Sequence, residues 1–364
     1  MISACGSGNM TKPPAPPACV PSAQPEFGYV LNGQPTDTVS MFTINSCTGG
    51  LTPTTPATIA TGFNPESLVV DPTGKFVYVA NLVSNATDLA TISMYTIDST
   101  TGVLTATTPP TVPTGFFPQG IAIDPTGKFV YTANSDDNTV SMFTVDSTTG
   151  ILTPTTPPAV AAGSSPLGVA VDPTGKFAYV SNEDDNTVSM YSINATTGIL
   201  TPLTPATASA PGVPFVGTAD PSGKFFYVPD NFGTFVLMYT IDPTSGLLTQ
   251  NMPPQAVTGN GPTSVAVDPA SKFAYVVNRT DNTISMFTID PDTGNLTPNT
   301  PPTIQALMEP FRILIDPSGK FAYVADEGGA VSIYTINSDG TLKDTGLAEA
   351  TIFPLSLAIT GNAH

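Results

Sequence analysis

Apolar residues in this chain come in short runs divided by polar turns, and the order of the runs repeats. From Gln119 to Val160 the chain reads QGIAI, DPTGK, FVYTAN, SDDNT, VSMFTV, DSTTG and ILTPTTPPAV. Runs rich in Val, Ile, Phe, Tyr and Thr, bounded by Gly, Asn, Asp and Ser, predict four strands joined by three tight turns. DPTGK has Asp first, Pro second and Gly fourth, the composition of a type I turn. The phrase opens at Asp71, Asp124, Asp172, Asp220, Asp268 and Asp316. The first step is 53 residues and each later step 48, the surplus of five lying in NLVSNATDLATISMY, where the next unit has NSDDNTVSMF. A period of about 40–50 made only of strand-like segments predicts propeller blades.

The middle strands are apolar on both faces, Phe129 and Tyr131 on one and Val130 on the other. Such a sheet is expected to lie buried between two neighbours. The fourth strand carries Pro154, Pro157 and Pro158. Proline cannot donate to a ladder, so this strand belongs at the outer edge, where it also blocks pairing with other molecules. Second strands begin at Phe27, Phe76, Phe129, Phe177, Phe225, Phe273 and Phe321. First strands follow Pro65, Pro118, Pro166, Pro214, Pro262, Pro310 and Pro354. The chain therefore starts on a second strand and ends on a first strand, LSLAI, which must complete the blade begun at Phe27. The predicted fold is all-β: a single seven-bladed β-propeller of four-stranded blades over residues 26–364, closed by pairing of its N- and C-terminal strands. Residues 1–25 form a Pro-rich tether.

Composition narrows the partners. Net charge is −18 and only 10% of residues are charged. Six of the ten Lys and Arg are the repeat lysines Lys75, Lys128, Lys176, Lys224, Lys272 and Lys320, which leaves Lys12, Arg279, Arg312 and Lys343. Without a basic patch, neither nucleic acid nor an anionic membrane surface is an expected partner. No apolar run is long enough for a membrane helix. ISACGSG near the N-terminus fits a bacterial lipoprotein box with Cys5 as the acylated residue, so membrane contact is expected only through such an anchor. The tether and Cys5 point to a secreted or cell-surface protein, with self-association or cell-surface partners. In that setting Cys19 and Cys47 are expected to pair as a disulfide.

The unit as a whole, with its YV-x-N and TVSM(F/Y) phrases, resembles the seven-bladed propellers of the lactonase and YVTN-repeat group from Phe27 to Thr360. The resemblance implies a 6-phosphogluconolactonase-like fold. It also implies that, in the enzymes of the group, His, Glu and Arg gather at one mouth of the central channel. A His commonly follows the Pro that opens the inner strand. Here the two residues after each Pro are Glu66-Ser67, Gln119-Gly120, Leu167-Gly168, Phe215-Val216, Thr263-Ser264, Phe311-Arg312 and Leu355-Ser356, and the sole histidine is His364.

General base catalysis near neutral pH uses His or a carboxylate with a raised pKa. Glu66 and Arg312 are the candidate pair for the mouth, with Gln119 and Glu309 nearby as ligand-binding candidates. The acidic turns at Asp136-Asp137, Glu183 to Asp185 and Asp281 read as solvated hairpin turns rather than a metal site. Met41, Met94, Met142, Met190, Met238 and Met286 recur in the third strand, with Ile333 in the seventh place, and read as core filling. No motif for a cofactor is present, and none is expected. With histidine missing and cations scarce, the expected function is a secreted or surface-attached binding or scaffold module. The alternative is a lactonase-like hydrolase acting on a small lactone at the channel mouth.

Overall fold

A computed structural model describes residue 19 and residues 26–82 and 89–361. Among the described residues, twenty-eight strands form seven four-stranded antiparallel sheets. Blade I takes its second to fourth strands from Glu26–Asn32, Thr38–Ile44 and Leu51–Ala60, and its inner strand from Pro354–Ile359 at the other end of the chain. The closure expected from the sequence is therefore present, with Gly28 opposite Ile359 and Val30 opposite Leu357. Blades II to VII follow in order, their inner strands starting at Pro65, Pro118, Pro166, Thr218, Pro262 and Pro310. The surplus of five residues falls in the second turn of blade II, of which 83–88 lie outside the described residues.

Alternation along the second strand sends side chains into two different cores. Phe76, Tyr78 and Ala80 pack towards blade III, while Val77 and Val79 pack towards blade I. Each blade is thus the filling between two interfaces, which explains why the middle strands lack a polar face.

The repeated tyrosine ties each interface. Tyr78 Oη donates to the carbonyl of Gly150 at 2.9 Å. The same bond recurs from Tyr29 to Gly102, Tyr131 to Gly198, Tyr179 to Gly246, Tyr227 to Gly294 and Tyr275 to Gly340. Tyr323 to Gly49 joins blade VII to blade I. The receiving glycine must be glycine. Gly150 has φ +72°, and a Cβ there would run into the ring of Phe76 from the preceding blade.

The methionines do more than fill space. Met94 Sδ accepts the backbone N–H of Leu152, the first residue of the next blade's outer strand, at 3.2 Å. Met41, Met142, Met190, Met238 and Met286 make the equivalent bond to Leu104, Leu200, Leu248, Leu296 and Leu342. Ile333 fills the seventh position without such an acceptor.

The DPTGK turn is organised by its aspartate. Asp71 Oδ1 accepts the N–H groups of Lys75 and Phe76, and Oδ2 that of Thr73. Blade I has no such aspartate. Thr360 stands in its place, its Oγ1 accepting Phe27 N–H and its own N–H donating to Phe27 O, both at 3.0 Å. At the opposite end of the second strand, the asparagine of YV-x-N donates to third-strand hydroxyls. Asn134 Nδ2 reaches Thr139 and Ser141, and Asn182 reaches Thr187 and Ser189.

Two departures from the repeat matter below. In blade V the expected full inner strand after Pro214 shrinks to Thr218–Ala219 plus an isolated bridge from Pro214 to Asp230. The cause is local: Phe226 stands where the other second strands carry Gly, Val or Ala, and its ring fills the space beside Gly217, while Pro229 offers no N–H. The outer strand of blade VII, Leu342–Ala350, carries no proline and protects its edge with Lys343, Asp344 and Glu349 instead. Cys19 and Cys47 form the expected disulfide, Cα to Cα 5.7 Å, which fastens Cys19 to the outer turn of blade I.

Tyr323→Phe leaves a buried Gly49 carbonyl without its donor. It is expected to lower stability by about 1–3 kcal/mol. Urea unfolding should show a lower midpoint at an unchanged slope; an unchanged midpoint would mean that this bond does not hold the ring.

Candidate active site

The inner strands surround a central cavity of about 480 Å³. Its wall is mostly aliphatic, with Val69, Ile121, Val169, Val265 and Ile313 among the lining residues. Pro173, Pro221, Pro269 and Pro317 of the first turns line one end, and Ser67, Ser264, Arg312 and Ser356 line the other. Among the described residues, the single charge on this wall is therefore at the mouth formed by the loops that lead into the inner strands and by the turns after the second strands.

A shared backbone device shapes that mouth. In six blades the ladder slips by one residue directly after the opening proline. Pro65 pairs with Asn81 but Ser67 with Ala80, and the same slip occurs at Pro118, Pro166, Pro262, Pro310 and Pro354. The residue skipped is the one directly after the proline: Glu66, Gln119, Leu167, Thr263, Phe311 and Leu355. A bulge releases that side chain from the ladder and re-aims it, a device common beside active sites.

Arg312 sits within this ring. Its guanidinium lies 5.2 Å from the ring centroids of both Phe311 and Phe215. Phe215 belongs to blade V, so the arginine reaches past blade VI. The two rings meet edge to face at 5.8 Å. Burial lowers the Arg312 pKa to about 10, against the opposing pull of Glu66 and Glu327. It remains a cation at neutral pH, held by aromatic faces as well as by carboxylates.

Glu66, two blades away on the other side, accepts a hydrogen bond from Asn64 Nδ2 at 3.1 Å. Burial raises its pKa to about 7; Arg312 pulls it down and Glu327 pushes it up. The charges of the sequence-predicted pair thus act on one another, while among the described residues no hydrogen bond or ion pair joins them. Gln119 occupies the same bulge one blade further on and is half-buried. Glu309 lies in the exposed loop before Pro310, and its charge acts on Glu327.

Glu327 is the residue that sequence reasoning missed. It is 8% exposed and forms an ion pair with Arg279. Burial raises its pKa in spite of that partner. Arg279 in turn lies 5.6 Å from the Phe311 ring. A signal was available: Arg279 and Glu327 stand 48 residues apart, one repeat, so they occupy the same position in adjacent blades. Beside it, Asp326 replaces the asparagine of YV-x-N, and Ala330 replaces the threonine that asparagine would reach. Ser332 Oγ donates to Asp326 Oδ2 at 2.7 Å, while Oδ1 is buried without a partner among the described residues. Burial lifts the Asp326 pKa to about 7.

The acidic turns prove to be structural. Asp137, Asp185 and Asp281 accept the N–H groups of Phe116, Ser164 and Asn260, each at 2.7 Å, and so pin their own blade's leading loop. The following asparagines pin the next blade's loop, Asn138 accepting from Ser165 and Asn282 from Glu309. Among the described residues, no three His, Cys, Asp or Glu gather as a metal site. Cys5 and His364 lie outside the described residues.

This mouth and ring define a class. The profile of the family described as "Lactonase, 7-bladed beta-propeller" matches residues 36–164, 153–266 and 216–354. The chain belongs to this family. It is similar in structure to a Bacteroides uniformis protein assigned as a 6-phosphogluconolactonase, at 22% identity and TM-score 0.77 over 93% of this chain and 100% of that one. It is also similar to the Pseudomonas aeruginosa periplasmic gluconolactonase PpgL, at 18% identity and TM-score 0.76 over 92% of this chain and 99% of that one. A comparable Bacteroides fragilis protein gives 20% identity and TM-score 0.77 over 93% and 98%. At these identities the likeness is one of fold. Comparison with curated proteins yields no match.

Glu66 and Asp326 both have folded-state pKa values near 7, above their ordinary 4.5 and 3.8. The folded protein therefore holds these protons more tightly than the unfolded chain does. The stability they contribute is complete below about pH 4 and is lost as pH rises through about 7. The exposed turn aspartates Asp98, Asp146, Asp242 and Asp290 have lowered pKa values, and their contribution is lost only at acid pH. Tm should accordingly fall between pH 5 and pH 8. Asp326→Asn, which installs the residue found in every other blade but blade V, should flatten that fall; an equal slope in the variant would contradict the assignment.

Proposed function

We propose that this protein hydrolyses a lactone at the mouth of the channel, with Glu66 as general base and Arg312 as the electrostatic partner of the carbonyl oxygen. Family membership and the arrangement of the mouth favour this reading over a binding or scaffold module. The observation that carries it is a half-buried carboxyl with a pKa of about 7 coupled to a recessed arginine at an otherwise aliphatic cavity. A base with this pKa is matched to neutral pH and supplies what the absent histidine would.

In the reaction, ionised Glu66 takes a proton from water as the water oxygen bonds to the lactone carbonyl carbon. The carbonyl π electrons move to oxygen, and the resulting oxyanion faces the Arg312 guanidinium. Collapse of the tetrahedral intermediate breaks the bond to the ring oxygen, which receives the proton from Glu66. The product is the open hydroxy acid. Phe215 and Phe311 keep the guanidinium in place and limit its hydration, which strengthens its pull on the oxyanion.

The Cys19–Cys47 disulfide supports an oxidising, extracytoplasmic location. Attachment through an acylated Cys5 is part of the same proposal.

Purified protein should open a lactone faster than a no-enzyme control. Glu66→Gln should lower kcat/KM by about 10²–10⁴-fold, and Arg312→Met by about 10²–10³-fold. Because the base must be ionised, kcat/KM should rise with pH through about 7 and level off above it. Turnover unaffected by either substitution would place the chemistry elsewhere. Absence of turnover on every lactone tried would return the protein to the binding class.

A further inference from the structure

The loops leading into the inner strands differ in polarity around the ring. Those of blades VII, I, II and III carry Met308, Ile352, Phe353, Phe63, Phe116 and Phe117, with exposures from 37% for Phe117 to 65% for Met308. Those of blades IV, V and VI carry Ser164 and Ser165, Gly212 and a half-buried Val213, and Asn260 and Gly261 at the corresponding places. The four apolar loops are consecutive around the circle, so their side chains form one crescent rather than scattered exposed residues. A contiguous apolar patch beside a cavity marks a binding surface.

The crescent lies on the same arc as the candidate dyad. Glu66 belongs to blade II and Arg312 to blade VII, the third and the first blades of the arc, with blade I between them. Phe63 precedes Glu66 by three residues, a backbone span of at most about 11 Å. Phe117 precedes Gln119 by two, and Phe353 precedes Leu355 by two. Backbone bonds fix these loops: Gly33 N–H donates to Phe353 O, and Ser135 N–H to Phe117 O.

Charge on this face disfavours an anionic ligand. Asp136, Asp137, Glu183, Asp184, Asp185 and Asp281 stand in the turns of the same mouth. Arg279 is already paired with Glu327, which leaves Arg312 to serve the reacting carbonyl. The six repeat lysines follow the turns that close the opposite end of the channel.

We propose that the substrate is a neutral lactone bearing an alkyl or aryl substituent, its ring at Glu66 and Arg312 and its substituent on the crescent. This rests on the hydrolase reading and names its substrate class. A phosphorylated sugar lactone brings two charges to an acidic rim, and a polyhydroxylated one leaves the aliphatic surface unused and finds few donors there.

The test compares kcat/KM for γ-butyrolactone, γ-dodecalactone, δ-gluconolactone and 6-phosphogluconolactone. γ-Dodecalactone should exceed each of the others by at least about tenfold, since an apolar contact of a few methylenes is worth that much. The double change Phe63→Ser with Phe353→Ser should cut the ratio of γ-dodecalactone to γ-butyrolactone by about tenfold or more. Met252→Ser removes a still more exposed apolar residue from the outer edge of blade V and should leave that ratio intact. A higher kcat/KM for either sugar lactone would overturn the substrate class while leaving the hydrolase reading standing. If no lactone turns over, binding of the non-hydrolysable ketone 2-octylcyclopentanone, followed by calorimetry, still decides. Binding that is lost in the Phe63→Ser, Phe353→Ser protein upholds the ligand class without the hydrolase, and no binding overturns both.

Discussion

Every blade interface depends on one hydrogen bond, from a second-strand tyrosine to a glycine carbonyl in the outer turn of the next blade. The bond demands three things of the sequence at once. The tyrosine must sit three residues into the second strand, the glycine must adopt a left-handed φ, and the phenylalanine two residues before the tyrosine must have room against that glycine's missing Cβ. These are the Phe-x-Tyr and Thr-Gly elements that recur along the chain. The methionine beside them adds a second link, its sulfur accepting the N–H that begins the neighbouring outer strand. Once the terminal strands have paired, the interface between blades VII and I needs no special contact. Tyr323 finds Gly49 by the same rule that joins every other pair of blades, and Thr360 takes over the turn-capping task of an absent aspartate.

A ring held in this way can tolerate variation where none of these contacts is made. The bulge after each opening proline is such a place, because the skipped residue owes nothing to the ladder. The six bulges carry Glu, Gln, Leu, Thr, Phe and Leu there. The candidate site is assembled from those free positions and from breaks in the repeat that cost something locally. Blade V gives up most of its inner strand and presents Phe215. Blade VII gives up the Asn–Thr–Ser link for a buried aspartate, and gains Arg312 and Glu327. Local rule-breaking concentrated at one mouth, in a chain otherwise so regular, is the pattern expected where function displaces stability.

The fold was almost wholly legible in the sequence because period, turn chemistry and strand alternation all encode the same local unit. Closure was legible because counting strands left an unmatched one at each end. The site was only partly legible. Glu66 and Arg312 could be named, since the position after the proline can be read off seven times. Their surroundings could not, because Phe215 reaches Arg312 across an intervening blade and nothing in local pattern foretells that. Glu327 escaped because an acidic residue in a Gly-rich turn resembles a solvated one; only its offset from Arg279 by one repeat distinguishes it. The methionines were read as packing because side-chain volume is visible in a sequence and the direction of a sulfur lone pair is not.

That no described residue of the mouth is a histidine, which at first argues against catalysis, has a physical answer in the same geometry. An imidazole is useful because its ordinary pKa already lies near neutrality. A carboxyl reaches that range only when water is withdrawn and the opposing cation is not allowed to dominate. Both conditions hold for Glu66. Burial pushes its pKa up, and Arg312, whose charge would otherwise pull it back towards the usual carboxylate range, is engaged by two aromatic faces and shared with Glu327. Glu327 also repels the Glu66 charge directly, while its own ion pair with Arg279 keeps it in place. The aromatic pair and the second glutamate thus set the proton affinity of the first, and in the proposed hydrolysis the residues that break the repeat are the ones that let a carboxylate serve where an imidazole otherwise would.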